Sequence, residues 1–125
     1  MNFNTNKDIT LTNNDTISNF TSNGNIATLT IDNPMLNFTN RGTITTFTND
    51  NTITTFNANG KIDLINNANI TTFDNNGYYL TFTNNNTISN FNNNDNKNLV
   101  LTNNGTITIF TNDGTISNLI SNTTI

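Results

Sequence analysis

The sequence contains no cysteine, histidine or tryptophan and one proline, and all eight of its acidic residues are aspartate. Without histidine, cysteine or glutamate, general acid–base catalysis would rest on aspartate or lysine alone. Only four residues are basic and the net charge is −4, so there is no electrostatic footprint for nucleic acid. No apolar run reaches the length of a membrane-spanning helix. The opening stretch MNFNTNKDIT lacks the basic and apolar regions of a secretory signal peptide. With no cysteine, the redox compartment is left open. The six glycines are spread singly, so no phosphate-binding loop is formed. These absences lead us to expect no enzyme, no cofactor, no bound metal, no nucleic-acid or small-molecule partner and no membrane insertion.

Two residue types dominate what is there: 34 asparagines and 27 threonines in 125 residues. Hydrophobic residues make up 32% of the chain, a share that with an asparagine bias ordinarily points to disorder or a prion-like segment. The spacing of the apolar residues argues otherwise. Ile17, Ile26, Met35, Ile44, Ile53 and Ile62 recur every nine residues, and each is followed three residues later by a second apolar residue: Phe20, Leu29, Phe38, Phe47, Phe56 and Ile65. The second series continues through Phe73, Phe82, Phe91, Leu101, Phe110 and Leu119, and extends backwards to Leu11 and Phe3. Two steps differ from nine: eight from Ile65 to Phe73 and ten from Phe91 to Leu101.

Four residues beyond each second position from Leu11 onward lies Gly, Asn or Asp, with Thr123 the exception, and all six glycines (Gly24, Gly42, Gly60, Gly77, Gly105, Gly114) fall there. These residues tolerate a left-handed backbone, so the position reads as a tight corner between short strands. Gly and Asn alternate at the corner from Gly24 to Asn86, and one of the two interleaved second-position series is all phenylalanine: Phe3, Phe20, Phe38, Phe56, Phe73, Phe91 and Phe110. The true period is therefore about 18 residues, two unlike nonapeptides per coil. The expected fold is all-β: a single parallel β-solenoid over residues 1–125 with about seven coils and uncapped ends. Its core ladder would comprise the phenylalanine column with Ile17, Ile44, Ile53, Ile88, Ile107 and Ile116. Asn40, Asn49, Asn67, Asn75, Asn84, Asn93, Asn103 and Asn112, two residues past the second position, are expected to stack as amide ladders. Threonine suits the strands, and a helix is disfavoured by composition and period.

The nonapeptide period resembles the calcium-binding β-roll repeats of secreted bacterial toxins and adhesins. That motif needs several glycines and an aspartate in constant phase, and here Asp15, Asp32, Asp50, Asp74, Asp95 and Asp113 drift in phase. The texture of NNGTITIFTNDGTISNL is more similar to the Asn/Thr/Gly-rich β-solenoid repeats of bacterial autotransporter and adhesin passenger regions. That resemblance spans the chain and implies an extracellular or cell-surface structural role, as a filament or as the stalk of an adhesin. A third resemblance, to ice-binding β-solenoids with Thr-x-Thr rows, is carried by Thr16/Ser18, Thr52/Thr54, Thr87/Ser89 and Thr106/Thr108 and interrupted at Pro34/Leu36 and Asn69/Thr71. Two further clusters break the repeat. Lys61 and Asp63 share a strand face as a solvated pair, and Tyr78, Tyr79 and Leu80 form an apolar spot in which Tyr79 occupies the first, core-facing position.

The ends carry the strongest functional expectation. Ile125 is the first apolar residue of a further unit, and "SNTTI" followed by "MNF" restores the spacing of isoleucine and phenylalanine. An end left open in this way exposes sheet edges that template pairing with another chain. The expected partner is a second copy, added head to tail into a filament through a junction of Phe3, Leu11, Ile116, Leu119 and Ile125. The competing reading is a segment of a longer repeat array.

Overall fold

The computed structural model describes residues 10–13, 15–94, 98–123 and 125. Thirteen short strands alternate between two sheets. In chain order they are β1 (Thr10–Asn13), β2 (Ile17–Ser22), β3 (Asn25–Ile31), β4 (Met35–Asn40), β5 (Thr43–Asn49), β6 (Ile53–Ala58), β7 (Lys61–Asn66), β8 (Ile70–Asn75), β9 (Tyr79–Asn84), β10 (Thr87–Asn93), β11 (Asn98–Asn103), β12 (Thr106–Asn112) and β13 (Thr115–Ser121). The odd-numbered strands form a seven-stranded sheet and the even-numbered a six-stranded one. Each strand pairs in parallel with the strand one coil away. The chain is thus a parallel β-solenoid: six two-strand coils follow β1. The expected half-coil around Phe3 falls among residues 1–9, outside the described residues.

One core runs the length of the solenoid between the two sheets. On the even sheet Phe20, Phe38, Phe56, Phe73 and Phe91 are fully buried and stack at centroid spacings of 5.2, 4.6, 4.8 and 5.0 Å. Phe110 continues the column at 5.2 Å and is half-buried. The odd sheet adds Phe47 and Phe82, whose rings meet the column at 4.8 Å from Phe38 and from Phe73. Ile17, Ile44, Ile53, Ile88 and Ile107 are buried beside them, and Ile116 is partly buried. Identical side chains lie over one another because the coil length matches the sequence period, so each ring gains contacts above and below as well as across the core.

The typical strand has two consecutive outward residues between its first two inward ones, as in β4 and β6. Strands β7, β9 and β11 lack the second outward residue and alternate strictly. This relocates two expected core positions. Leu64, not Ile65, stacks on Phe47, through a register shift between Ile44 and Phe47, and Ile65 is 40% exposed. Leu80, not Tyr79, takes the first inward position of β9, and Tyr79 is 54% exposed. The one-residue deletion is absorbed inside β7 rather than at a corner. In the same way Asn66, not Asn67, joins the inner amide ladder.

That ladder is a chain of buried side-chain hydrogen bonds. Asn49 Nδ2 donates to Asn66 Oδ1 at 2.8 Å, Asn66 to Asn84 at 2.9 Å and Asn84 to Asn103 at 2.8 Å. On the even sheet Asn75 donates to Asn93 at 2.6 Å and Asn93 to Asn112 at 2.7 Å. Several members spend their second N–H on a corner carbonyl two residues on, such as Asn84 on Asn86 at 2.7 Å. Asn49, the first member on the odd sheet, lies over Ile31 and has no donor; on the even sheet Ala58 separates Asn40 from the ladder, and Asn40 lies over Ser22, whose hydroxyl is turned to the Gly24 carbonyl. The Oδ1 atoms of Asn40 and Asn49 are buried and unbonded. A parallel outer ladder runs along the exposed corner in the opposite sense: Asn67 donates to Asp50, Asn85 to Asn67, Asn104 to Asn85 and Asn122 to Asn104, at 2.7–3.0 Å. The two ladders should differ in worth. Asn84→Ala, which strands buried partners, is expected to cost roughly 2–3 kcal/mol, whereas Asn85→Ala, whose partners reach water, should cost under about 1 kcal/mol. Urea unfolding of the two variants checks this; equal costs would rule out burial as the source of the ladder's contribution.

The two corners of each coil are chemically different. At the Asn corner the side chain works twice: Asn51 Oδ1 accepts the Thr52 N–H at 2.8 Å while its Nδ2 donates to the Asp32 carbonyl one coil back at 2.9 Å, and Asn86 repeats this with Thr87 and Asn67. At the Gly corner, backbone stacks on backbone. A Cβ on Gly42 would overlap the Gly24 carbonyl, one on Gly60 the Gly42 carbonyl, and one on Gly77 would lie 2.5 Å from the Gly60 carbonyl. None of these three, nor Gly105, adopts a positive φ. The expected reason for glycine, a left-handed backbone, is therefore replaced by close packing of successive coils.

Candidate assembly interface

Among the described residues each sheet ends on a strand with one open edge: β12 and β13 at the C-terminal end, β1 and β2 at the other. The burial pattern changes at the last coil. In β10 the three inward positions, Ile88, Phe91 and Asn93, are all buried; in β12 Ile107 is buried, Phe110 is half-buried and Asn112 is exposed. In β13 the equivalents are Ile116, half-buried, with Leu119, 43% exposed, and Ser121, exposed. These are ordinary ladder residues without a coil above them. Ile109 and Ile120, on the outward faces of the same coil, are also exposed, in columns that hold Asn90 and Thr102 one coil earlier.

The polar ladders stop at this end too. Asn112 accepts from Asn93 and donates to the Gly114 carbonyl at 3.0 Å. Above Asn103 the ladder position holds Ser121 in place of an amide, and Asn103 donates to Thr123 Oγ1 at 3.0 Å. The open end therefore presents two half-covered aliphatic positions, a phenyl face, an amide column and two rows of unpaired backbone groups.

Of the residues expected at the junction, Ile116, Leu119 and Ile125 lie at the C-terminal end, the latter two exposed. Leu11 lies on β1, in register with Leu29. Phe3 falls outside the described residues. Ile109 and Ile120 were not singled out by spacing, because they stand at outward positions. Ile109 carried a compositional signal, isoleucine in a column of Asn and Thr, whereas the Ile120 column also holds Ile65.

Elsewhere the aspartates are dispersed: Asp50 and Asp74 accept from Asn67 and Asn92, at 2.8 and 2.7 Å, and Asp15 accepts the Thr16 N–H at 2.7 Å. Among the described residues no three metal-ligating side chains converge. Comparison with known proteins found no matching family model, no matching curated protein and no matching solved structure.

Proposed function

We propose that the chain is a structural protein that assembles head to tail into β-solenoid filaments outside the cell. The observation that supports this reading most strongly is the last described coil, where β12 and β13 each keep one open edge and Phe110 and Leu119 are less buried than their counterparts Phe91 and Leu101. A second copy would cover this coil in register. Its β1, which pairs in register with its own β3, would pair with the open edge of β13. The contact joins two different surfaces and does not close on itself, the geometry that yields filaments rather than rings. Each junction would form the same backbone pairing and ring stacking as an internal rung. The extracellular setting rests on the resemblance to passenger-region repeats.

Electron microscopy of the purified chain at neutral pH and micromolar concentration tests the reading. The expected result is thin fibres of uniform width with an axial repeat of roughly 34 Å, seven strand spacings of about 4.8 Å. Leu119→Lys, which places a charge on the open end without touching the buried rungs, should leave the far-ultraviolet spectrum unchanged and abolish the fibres. Short rods at every concentration would overturn the filament and favour an adhesin stalk. Rods that shape ice crystals would favour an ice-binding face, and replacing Thr54 with a bulky residue should then remove that activity.

A further inference from the structure

Among the described residues, one cluster on the outer face of the odd sheet departs from the Asn/Thr pattern of the repeat. Strands β7 and β9 read KIDLIN and YLTFTN, and they bring together residues that are scarce in this chain: Lys61, one of four basic residues, Asp63, and Tyr79, one of two tyrosines. The register places them side by side. Thr43 pairs with Lys61, Asp63 pairs with Thr81, and Ile62 pairs with Leu80, which aligns Lys61 with Tyr79. Neighbouring β5 keeps both outward residues, Thr45 and Thr46, where β7 has Asp63 alone, so the register shift sets a step between the strands. The result is a groove of about 260 Å³ lined by Thr43, Thr45, Lys61, Asp63, Tyr79 and Thr81. Tyr78, 68% exposed, stands at the corner before Tyr79.

The lining specifies a kind of ligand. The groove is smaller than the ~300–1,000 Å³ pockets that enclose drug-sized molecules, and it is open along the sheet. Its one exposed apolar surface is a tyrosine ring, a flat face with a polar tip. Around that ring stand three hydroxyls, one ammonium and one carboxylate, so donors and acceptors are both present and the formal charges of Lys61 and Asp63 cancel. A protein hot spot would call for a cluster of apolar anchors, but Ile44 and Ile62 beneath the groove are 1% exposed. A nucleic acid or acidic polymer would meet an acidic chain and a groove without net charge. A sugar ring offers an apolar C–H face for the tyrosine and hydroxyls for everything else.

We propose that this groove binds one or two rings of a neutral polysaccharide, with Tyr79 as the stacking platform and Asp63, Lys61 and the threonines bonding the sugar hydroxyls. The site lies on β5, β7 and β9 within a single chain, so it does not depend on assembly; in a filament it would recur once per subunit and bind a long polymer multivalently.

Native gel electrophoresis of the full chain through gels containing soluble β-glucan, galactomannan, dextran or polygalacturonate tests the proposal. At least one neutral polysaccharide should retard the protein. Tyr79→Ala and Asp63→Ala should weaken that retardation by roughly tenfold or more, the effect of losing one stacking or charged hydrogen-bonding contact. Tyr79→Phe, which keeps the ring, should retain most of it, and Thr54→Ala on the opposite sheet should behave as the parent chain. Both groove positions are exposed, so unchanged circular dichroism is expected in every variant. Retardation by none of the neutral polymers, by polygalacturonate alone, or equally in the parent chain and Tyr79→Ala would overturn the proposal. Binding of a protein with no response to any polysaccharide would overturn it as well.

Discussion

Phe56→Ala is expected to destabilise the fold by about 3–5 kcal/mol, toward the upper end of that range. Phe56 is fully buried and its ring meets three others, Phe38 at 4.6 Å, Phe73 at 4.8 Å and Phe47 at 5.2 Å. Truncation removes the transfer free energy of the ring and leaves a cavity whose walls are fixed. The neighbours above and below are held by continuous backbone ladders, so the site cannot collapse as a loosely packed core does. The loss falls in the middle of the solenoid, where each coil is stabilised only by its two neighbours, so it should also weaken the coupling between the halves of the rod. Phe110→Ala is the internal comparison. Its ring is half-buried at the end of the column and stacks on Phe91 from one side, so its cost in dilute solution should be well under half that of Phe56→Ala. Urea unfolding at low protein concentration reads both. A cost under about 1 kcal/mol for Phe56→Ala would remove the phenylalanine column as the main source of core stability.

The period, the two unlike faces and the parallel stacking were legible in the sequence because a solenoid writes its coil length into the chain: Phe20, Phe38, Phe56, Phe73 and Phe91 can stack only if each coil takes 17 or 18 residues. What escaped was where a deletion is absorbed. Loops tolerate length changes, which points to the corner after Ile65. The strand was the easier place. Its usual form already carries one more outward residue than strict alternation needs, so β7 loses that residue and keeps Ile62, Leu64 and Asn66 inward. The alternation of KIDLIN held this information, as did the asparagine found two residues beyond most of the second inward positions, which selects Leu64 through Asn66 as the continuation of Asn49. Tyr79 and Leu80 were ambiguous for a related reason: adjacent apolar residues compete for one inward place, and counting back by two from Phe82 selects Leu80. The exposure of Leu119 belongs to its coil's position at the end of the stack, not to its residue type, so it could be read only as a consequence of the whole architecture.

Replacing Gly60 should be at least as damaging, and the choice of replacement separates two explanations. A Cβ built on Gly60 overlaps the Gly42 carbonyl oxygen and approaches the Arg41 carbonyl carbon to 2.8 Å. Both obstacles are backbone, held in place by the hydrogen bonds of Asn59 and Gly60 N–H to the Asn40 carbonyl at 2.7 and 3.0 Å. No rotamer change relieves the overlap. The coils must move apart at this corner, breaking those bonds and the packing beside them, at a cost of about 3 kcal/mol or more. If glycine were required for a left-handed backbone, asparagine would be the mildest replacement, since it tolerates that conformation best after glycine. Because the obstacle is the Cβ itself, Gly60→Asn should be as damaging as Gly60→Ala, and Gly60→Val worse than either. Thermal unfolding of the three variants decides between the explanations. Near-parent stability in Gly60→Asn with loss in Gly60→Ala would restore the left-handed corner, and tolerance of all three would mean that the coils do not approach as closely as the stacked glycines require. At the other corner Asn51 and Asn86 reach back to the preceding coil with a side chain, and where glycine takes that position, at Gly105, backbone again lies against backbone: a Cβ there would overlap the Asn86 carbonyl.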